Sequence, residues 1–125
     1  MENMKKLPDA EFEVMQVVWA NEPPVTTSDV MNQLGFEKGW KIQIAVTLMQ
    51  RLTERGFLRS EKHGKERTYF PTVKQEDYLK FETGNFMKQF HKNSFLSLVT
   101  AVYDNEALTD EDMDGLKELL KKRRG

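Results

Sequence analysis

Residues 40–71 read WKIQIAVTLMQRLTERGFLRSEKHGKERTYFP, and the first half of this stretch has the period of an amphipathic helix. At about 100° per residue, apolar side chains share one side of that helix: Ile42, Ala45, Leu48, Met49 and Leu52. Polar side chains share the other side: Gln43, Thr47, Gln50, Arg51 and Glu54. Gly56 can take the left-handed conformation that ends a helix, with Phe57 folding back against it. The stretch therefore predicts a helix with one packed face and one face free to bind.

A β-hairpin is predicted directly after this helix. Two short runs, Phe57–Ser60 and Arg67–Pro71, suit strands, and Gly64 suits the tip of the connection between them. A helix followed by a basic hairpin is typical of a winged helix-turn-helix, in which the second helix of the motif reads the major groove of DNA.

Positive charge is concentrated in this same region. From Lys38 to Arg67 there are eight basic and three acidic residues, a net charge of +5, although the whole chain carries −1. A phosphate backbone would be attracted to such a surface. A solvated surface without a ligand would give the same count, so charge alone leaves both interpretations open.

Two further helices are predicted upstream. The first runs from Glu11 to Ala20, with Leu7 before it as a hydrophobic staple, and its apolar face carries Phe12, Met15, Val18 and Trp19. Thr26 and Asp29 have the spacing of a capping box that begins a second, short helix. That helix is expected to end at Gly35 and to carry Val30, Met31 and Leu34.

Three segments carry a family resemblance: Ala10–Trp19, Gly39-Trp40 and Thr47–Leu58. In order and spacing they resemble the penicillinase-repressor family, also called BlaI/MecI-like repressors, and the likeness covers nearly the whole chain. The resemblance implies a dimeric bacterial repressor whose N-terminal winged helix binds a palindromic operator and whose C-terminal helices join the subunits. It also implies a sensor-transducer that triggers proteolysis of the repressor in its C-terminal part.

The expected DNA contacts lie on the reading helix and the wing: Lys41, Gln43, Ile44, Thr47, Gln50, Arg51, Lys62, Lys65 and Arg67. By the resemblance, Gln43 and Thr47 occupy base-facing positions. The sequence departs from the family pattern at Lys41, where relatives commonly have a Ser or Thr cap. It departs again at Ile44 and Val46, which are often Thr and Arg in the family.

Two side-chain roles stay open. Ile44 and Val46 flank the exposed face, so they could touch a thymine methyl or cover the edge of the core. The core edge is favoured, because aliphatic side chains are usually buried. Arg51 fits a DNA contact and a structural ion pair with a carboxylate equally well.

The chain is predicted to divide into a winged-helix domain at 1–73 and a helical dimerisation region at 74–125. Beyond residue 73, apolar residues such as Tyr78 and Phe81 recur at helical spacing, and a winged helix has no room to bury them all. Unless these helices fold back on the first half of the chain, contact with a second subunit is the simplest way to bury that apolar surface. The expected dimer contacts are Phe86, Phe90, Phe95, Leu96, Val99, Val102, Leu116, Leu119 and Leu120.

The helices of this second region have predicted ends. One long helix is expected to end near His91 and another to begin near Ser94, with Gly84 and residues 92–94 as weak points. The last helix is expected over Thr109 to Lys122, capped by Thr109 with Asp112 at the third position.

Induction is harder to predict. Aligning the shared segment Ser97-Leu98-Val99 places the Asn-Phe cleavage pair of staphylococcal-type relatives at Ala101-Val102. The usual pair is therefore absent here, and the sequence does not decide whether a regulatory protease is a partner. Copper-responsive relatives sense metal through Cys pairs near the C-terminus, and this chain has no Cys.

No metal site, cofactor or enzyme is predicted. Asp110, Asp112, Asp114 and Gly115 match four positions of an EF-hand loop, but Lys121 falls where a bidentate carboxylate is required. Acidic residues in the first turn of a helix are the better interpretation. The sequence has no Gly-rich phosphate loop, no HExxH, no GxSxG and no Cys nucleophile.

The sequence of 125 residues thus predicts a mostly α-helical protein with a small β-hairpin: a winged helix-turn-helix followed by C-terminal dimerisation helices. No apolar run approaches the ~20 residues of a membrane span and no secretion signal is visible, so a cytoplasmic protein is expected. The predicted function is a sequence-specific DNA-binding transcriptional repressor that acts as a homodimer on a palindromic operator. A winged helix that docks a protein without DNA and a DNA-binding activator are the alternatives.

Overall fold

The computed structural model describes residues 4–124, so the first three residues and the last residue of the two predicted regions lie outside it. It is mostly helical with one small antiparallel sheet, which confirms the predicted fold class. The chain forms two compact units, the first ending at Glu82 and the second beginning at Thr83. The first unit thus extends nine residues beyond the predicted boundary at residue 73.

The first unit is built on two packed helices, α1 (Asp9–Ala20) and α4 (Ile42–Glu54). Each buries the side chains that recur along one face. Glu11 is buried among them on α1 and accepts a hydrogen bond from Nε of Arg55 at 2.6 Å. The pairing fixes the C-terminal end of α4 against α1. The core of the unit consists of Leu7, Val14, Met15, Val18, Val25, Val30, Met31, Ala45, Leu48, Met49, Leu52, Phe57, Leu58, Tyr69, Val73 and Tyr78.

Between α1 and α4 the chain forms one continuous helical segment with three parts. They are α2 (Thr27–Val30), a π-helical turn (Met31–Gly35) and α3 (Phe36–Lys38). The capping box is confirmed: the Thr26 hydroxyl accepts from the Asp29 N–H, and the Asp29 carboxylate accepts from the Thr26 N–H.

The predicted helix end at Gly35 is wrong. Gly35 keeps right-handed helical angles, and a Cβ there would meet Sδ of Met31, so a larger residue would require the Met31 side chain to move. The helix ends at Gly39, whose φ of +73° is left-handed. The N–H groups of Gly39 and Trp40 then bond back to the carbonyls of Phe36 and Gly35.

Helix α4 ends as the sequence predicts. Gly56 has a φ of +82°, the Phe57 N–H donates to the Leu52 carbonyl, and the Gly56 N–H donates to the Thr53 carbonyl. These are the two bonds of a Schellman motif, and Phe57 is buried beside them. The expectation that Ile42 joins the apolar face is wrong, because Ile42 starts the helix and is 53% exposed.

The sheet has three strands in the order β1-β3-β2. β2 (Leu58–His63) and β3 (Glu66–Pro71) form the predicted hairpin. Their pairing continues to a two-residue turn at Gly64-Lys65, whereas the sequence predicts a longer connection between Ser60 and Arg67. β1 (Val25–Thr26) pairs with Tyr69 and Thr68. Two residues are too few to show a period in sequence, which is why β1 was not predicted.

Tyr78 lies at the centre of the first unit, not in a separate helical region. It begins the inner face of α5 (Gln75–His91), and the nearest rings around it belong to Phe12, Trp19, Phe57 and Phe81. Its hydroxyl accepts from the Leu7 N–H at 2.9 Å and donates to Glu82 at 2.8 Å. Burial raises the pKa of Tyr78 to about 12. These contacts explain why the first unit extends past residue 73.

The second unit contains the rest of α5, followed by α6 (Phe95–Asp104) and α7 (Asp110–Arg124). The expected end near His91 and start near Ser94 are confirmed, with the Ser94 hydroxyl accepting from the Ser97 N–H. Gly84 does not interrupt α5. Thr109 and Asp112 form the expected reciprocal cap of α7.

Replacing Tyr78 by Phe should lower the free energy of unfolding of the full chain by about 1–3 kcal/mol, because the buried Leu7 N–H loses its acceptor. The folded pKa lies above the ordinary value of 10.0, so the unfolded chain releases the proton first as pH rises. The stability that Tyr78 contributes is therefore fully present below its ordinary pKa of 10.0 and is lost as the pH rises toward its folded pKa of about 12. Urea titrations of wild type and Tyr78→Phe across this pH window measure both effects.

Tyr103→Phe is the matched control, because Tyr103 is exposed on α6. Its free energy of unfolding should stay within about 0.5 kcal/mol of wild type. An equal loss for both variants, or none for Tyr78→Phe, would contradict the assignment.

Candidate nucleic-acid interface

The face of α4 opposite the core is polar and solvent-exposed. Gln43, Thr47, Gln50 and Arg51 are all exposed, as the helical period predicts. Lys41 stands just before the helix in extended conformation and makes no side-chain cap, so its ammonium is free to point outward. Amides, a hydroxyl and cations in this arrangement can bond to base edges and phosphate oxygens.

Aliphatic side chains interrupt this polar face. Ile44 is 44% and Val46 39% exposed, so both lie at the margin of the packed face with part of each side chain in water. The buried positions of α4 are Ala45, Leu48, Met49 and Leu52. The period places Ile44 and Val46 between the polar and the apolar arcs, and their assignment to the core edge or to a DNA contact stays a prediction.

The two faces of the hairpin differ in charge. Lys62 and Arg67 stand opposite each other in the register, and Ser60 and Tyr69 are the next opposed pair on the same face. Tyr69 packs into the core on that face, beside α4, and Arg67 donates to the Ser60 hydroxyl at 2.9 Å. Lys62 and Arg67 therefore project from the side of the wing that borders α4.

The opposite face of the hairpin is largely neutralised. Arg59 bonds to Glu61 and stacks over the Phe70 ring, with its guanidinium carbon 4.3 Å from the ring centre. The bond from Arg59 lowers the pKa of the Glu61 carboxyl below its usual value. His63 also lies 3.5 Å from Glu61.

Ion pairs sort the eight basic residues of this region into two groups. Lys38 pairs with Glu13 at 2.9 Å, which raises the pKa of Lys38, while Arg55 and Arg59 pair with Glu11 and Glu61. Within residues 4–124, the other five have no acidic partner at ion-pair distance: Lys41, Arg51, Lys62, Lys65 and Arg67. These five are the basic residues predicted to contact DNA. Arg51, which could equally have been structural, finds no carboxylate partner in the described part of the chain.

A shallow depression joins helix and hairpin. Its lining combines Val46, Gln50 and Glu54 of α4 with Ser60, Arg67 and Tyr69 of the hairpin. A second depression is lined by Ile42 and Val46 of α4 and by Lys65, Glu66 and Arg67 of the hairpin. Sequence reasoning did not find Ser60 and Tyr69 as supporting residues. The strand period of two across the hairpin could have placed both beside Arg67.

The residues predicted for a dimer contact lie in the second unit and are accessible in the single chain. Val99, Val102 and Leu116 are partly buried, whereas the others are exposed: Phe86, Phe90, Phe95, Leu96, Leu119 and Leu120. The Phe86 and Phe90 rings lie 5.0 Å apart. Ala101-Val102, the position of the family's cleavage pair, lies within α6.

In residues 4–124 no helix has the length and apolar character required to cross a bilayer. The same residues hold no group of His, Cys, Asp or Glu side chains arranged for a metal ion.

Comparison with known proteins identifies this arrangement. The family model for penicillinase repressors matches residues 7–122. The penicillinase repressor of Bacillus licheniformis is 29% identical over 124 residues, which cover 97% of this chain and 96% of that protein. The solution structure of the DNA binding domain of the repressor BlaI superposes with a TM-score of 0.51 at 33% identity, over 60% of this chain and 94% of that one.

A second solution structure is the monomeric form of Bacillus licheniformis BlaI in complex with the blaP half-operator. Its TM-score is 0.50 at 31% identity, over 59% of this chain and 89% of that one. Family members are repressors, which confirms the prediction that this chain is not an enzyme. From its winged-helix fold and the match over residues 7–122, the chain belongs to the penicillinase repressor family.

Proposed function

We propose that this protein is a sequence-specific transcriptional repressor that binds double-stranded DNA as a homodimer, at a palindromic operator in the cytoplasm. The observation that carries the proposal is the sorting of charge. The three basic residues held by carboxylates lie apart from the predicted contacts, while five unpaired cations surround the polar face of α4 and the adjacent side of the wing. Free cations around a reading helix suit an anionic duplex.

The helix α4 and the wing would contact different parts of the DNA. α4 would enter the major groove, where Gln43 and Thr47 face base edges, and Lys62, Lys65 and Arg67 of the wing would bind the flanking backbone. The BlaI complex with a half-operator supports this mode, because that protein shares the winged-helix fold of this chain. Two symmetric copies would place their reading helices about one DNA turn, ~34 Å, or a multiple of it apart.

A protein-docking role has one observation in its favour, the exposed aliphatic side chains Ile44 and Val46. Five unpaired cations around them fit a protein surface less well than a phosphate backbone. Family membership favours repression over activation. Binding to duplex DNA therefore decides between the proposals.

Alanine at Gln43 and Thr47 should weaken binding to the operator by about 1–3 kcal/mol per lost base contact, with little effect on random DNA. Alanine at Lys62 and Lys65 should weaken binding to both DNAs and reduce the slope of log K against log salt by about 1.8, because two phosphate contacts disappear. Fluorescence anisotropy at several salt concentrations measures both effects. The promoter upstream of the protein's own gene is the first operator to test.

Lys80→Ala/Lys88→Ala is the charge-matched control, since both lysines are exposed on α5 outside the proposed surface. This variant should bind like wild type. Equal loss on operator and random DNA for the Gln43/Thr47 variant would defeat the base-reading assignment. No preference of wild type for any sequence would defeat the repressor proposal.

The dimer proposal has its own test. Phe90→Glu or Leu96→Glu would place a charge in the proposed contact, so each variant should be monomeric by light scattering where wild type is dimeric. The variant should bind a half-site like wild type but lose the added affinity for the full palindrome. Leu79→Glu is the control. Leu79 is exposed to the same extent as Phe90, 64% against 62%, but it lies in the first unit and outside the proposed dimer contact. A monomeric wild type, or a dimeric Leu96→Glu variant, would contradict the proposal.

A further inference from the structure

The reading face of α4 carries exposed aliphatic side chains where a solvated helix would carry polar ones. Ile44 and Val46 are branched side chains that are about two-fifths exposed. They lie on opposite flanks of the polar arc that contains Gln43 and Thr47, as the period of 100° requires. Exposure of such aliphatic surface to water is unfavourable, and covering it with an apolar partner is favourable.

The surroundings restrict what that partner can be. Two depressions beside Val46 are lined by Lys65 and Arg67 and also by Glu54 and Glu66, so their own charge is balanced. The wider surface, from Lys38 to Arg67, carries a net charge of +5, so a partner that covers it must offer small apolar groups within an anionic framework. In the major groove of duplex DNA, the thymine C5-methyl is such a group, since it projects among polar base edges between two phosphate backbones.

Building on the proposed function, we propose that Ile44 and Val46 determine operator sequence by contacting thymine methyl groups on either side of the base edges read by Gln43 and Thr47. An amide or hydroxyl on the polar arc donates to a thymine O4 acceptor, while the neighbouring aliphatic side chain covers the methyl on the same base. Cytosine at the same place lacks the methyl. The aliphatic contact is therefore lost at cytosine, whereas an amide or hydroxyl can bond to either base, so the methyl group carries the discrimination.

The test removes the methyl group from the DNA and leaves the protein unchanged. Wild-type protein first selects its preferred duplexes from a random-sequence pool. The best duplex is then made again with deoxyuridine in place of thymine, one position at a time, which deletes only the C5-methyl. At each contacted position affinity should fall about fourfold, the effect of burying one methyl-sized group, and two such positions in a half-site should give about 10- to 20-fold.

Matched variants connect the loss to the two side chains. Ile44→Ala/Val46→Ala should bind the thymine duplex more weakly and should no longer distinguish it from the deoxyuridine duplex. Leu79→Ala, an exposed aliphatic change outside α4, should keep the full deoxyuridine penalty. A random duplex with the same substitutions measures any general effect of deoxyuridine on DNA shape.

The outcomes separate the two proposals. If no sequence is enriched from the pool, the proposed repressor function fails and this inference fails with it. If a sequence is enriched but wild type binds the deoxyuridine duplex equally well, the inference alone is overturned. A deoxyuridine penalty that persists in the Ile44→Ala/Val46→Ala variant also overturns it, because the methyl would then be contacted by other groups.

Discussion

The burial of one face of α4 is the constraint on which the rest of the first unit depends. Ala45, Leu48, Met49 and Leu52 are all buried, so the rotation of the helix about its own axis is set by packing. Every other side chain of the helix then has a fixed direction, because positions on a helix are related by 100°. The polar face is therefore available for binding as a consequence of how the core is filled. A Schellman motif at Gly39 ends α3 before this helix begins, and a second one at Gly56 ends α4 itself.

An ion pair between a buried carboxylate and a partly exposed guanidinium adds orientation to that packing. Glu11 is buried on α1, and its carboxylate is satisfied by Arg55 just beyond the end of α4. Replacing such a pair by apolar residues is often neutral for stability, so its contribution is better described as alignment of the two helices. It also pairs one guanidinium of the basic region with a carboxylate. Lys38 and Arg59 are paired as well, through more exposed ion pairs, so the unpaired cations of residues 38–67 are those of the candidate interface.

The features that sequence could predict are those with a local signature. The period of α4, the stop at Gly56, the capping boxes at Thr26 and Thr109 and the hairpin tip at Gly64 all follow from spacing of a few residues. The errors differ in cause. Gly35 is predicted as a helix stop, but it keeps right-handed angles and the left-handed residue is Gly39. The error over Tyr78 is non-local, because its partners, Leu7 and the rings of α1, are distant in sequence. For the candidate interface, the basic residues are predictable from sequence, but the pairing of Lys38 and Arg55 is not, because Glu13 and Glu11 lie more than twenty residues away from them.

The unpaired cations of the wing also carry a cost in the free protein. Lys62 and Arg67 face each other across the hairpin, and like charges directly opposite destabilise a pair of strands. Ser60 offers Arg67 only a neutral acceptor, whereas the acidic residue of the same strand, Glu61, points to the other face and is bound by Arg59. The repulsion therefore persists in the free protein and would be relieved by a phosphate placed between the two cations. The same holds for the exposed aliphatic side chains of α4, which are unfavourable in water and favourable against an apolar group. If the proposed function holds, the major groove and its backbone would relieve both of these costs.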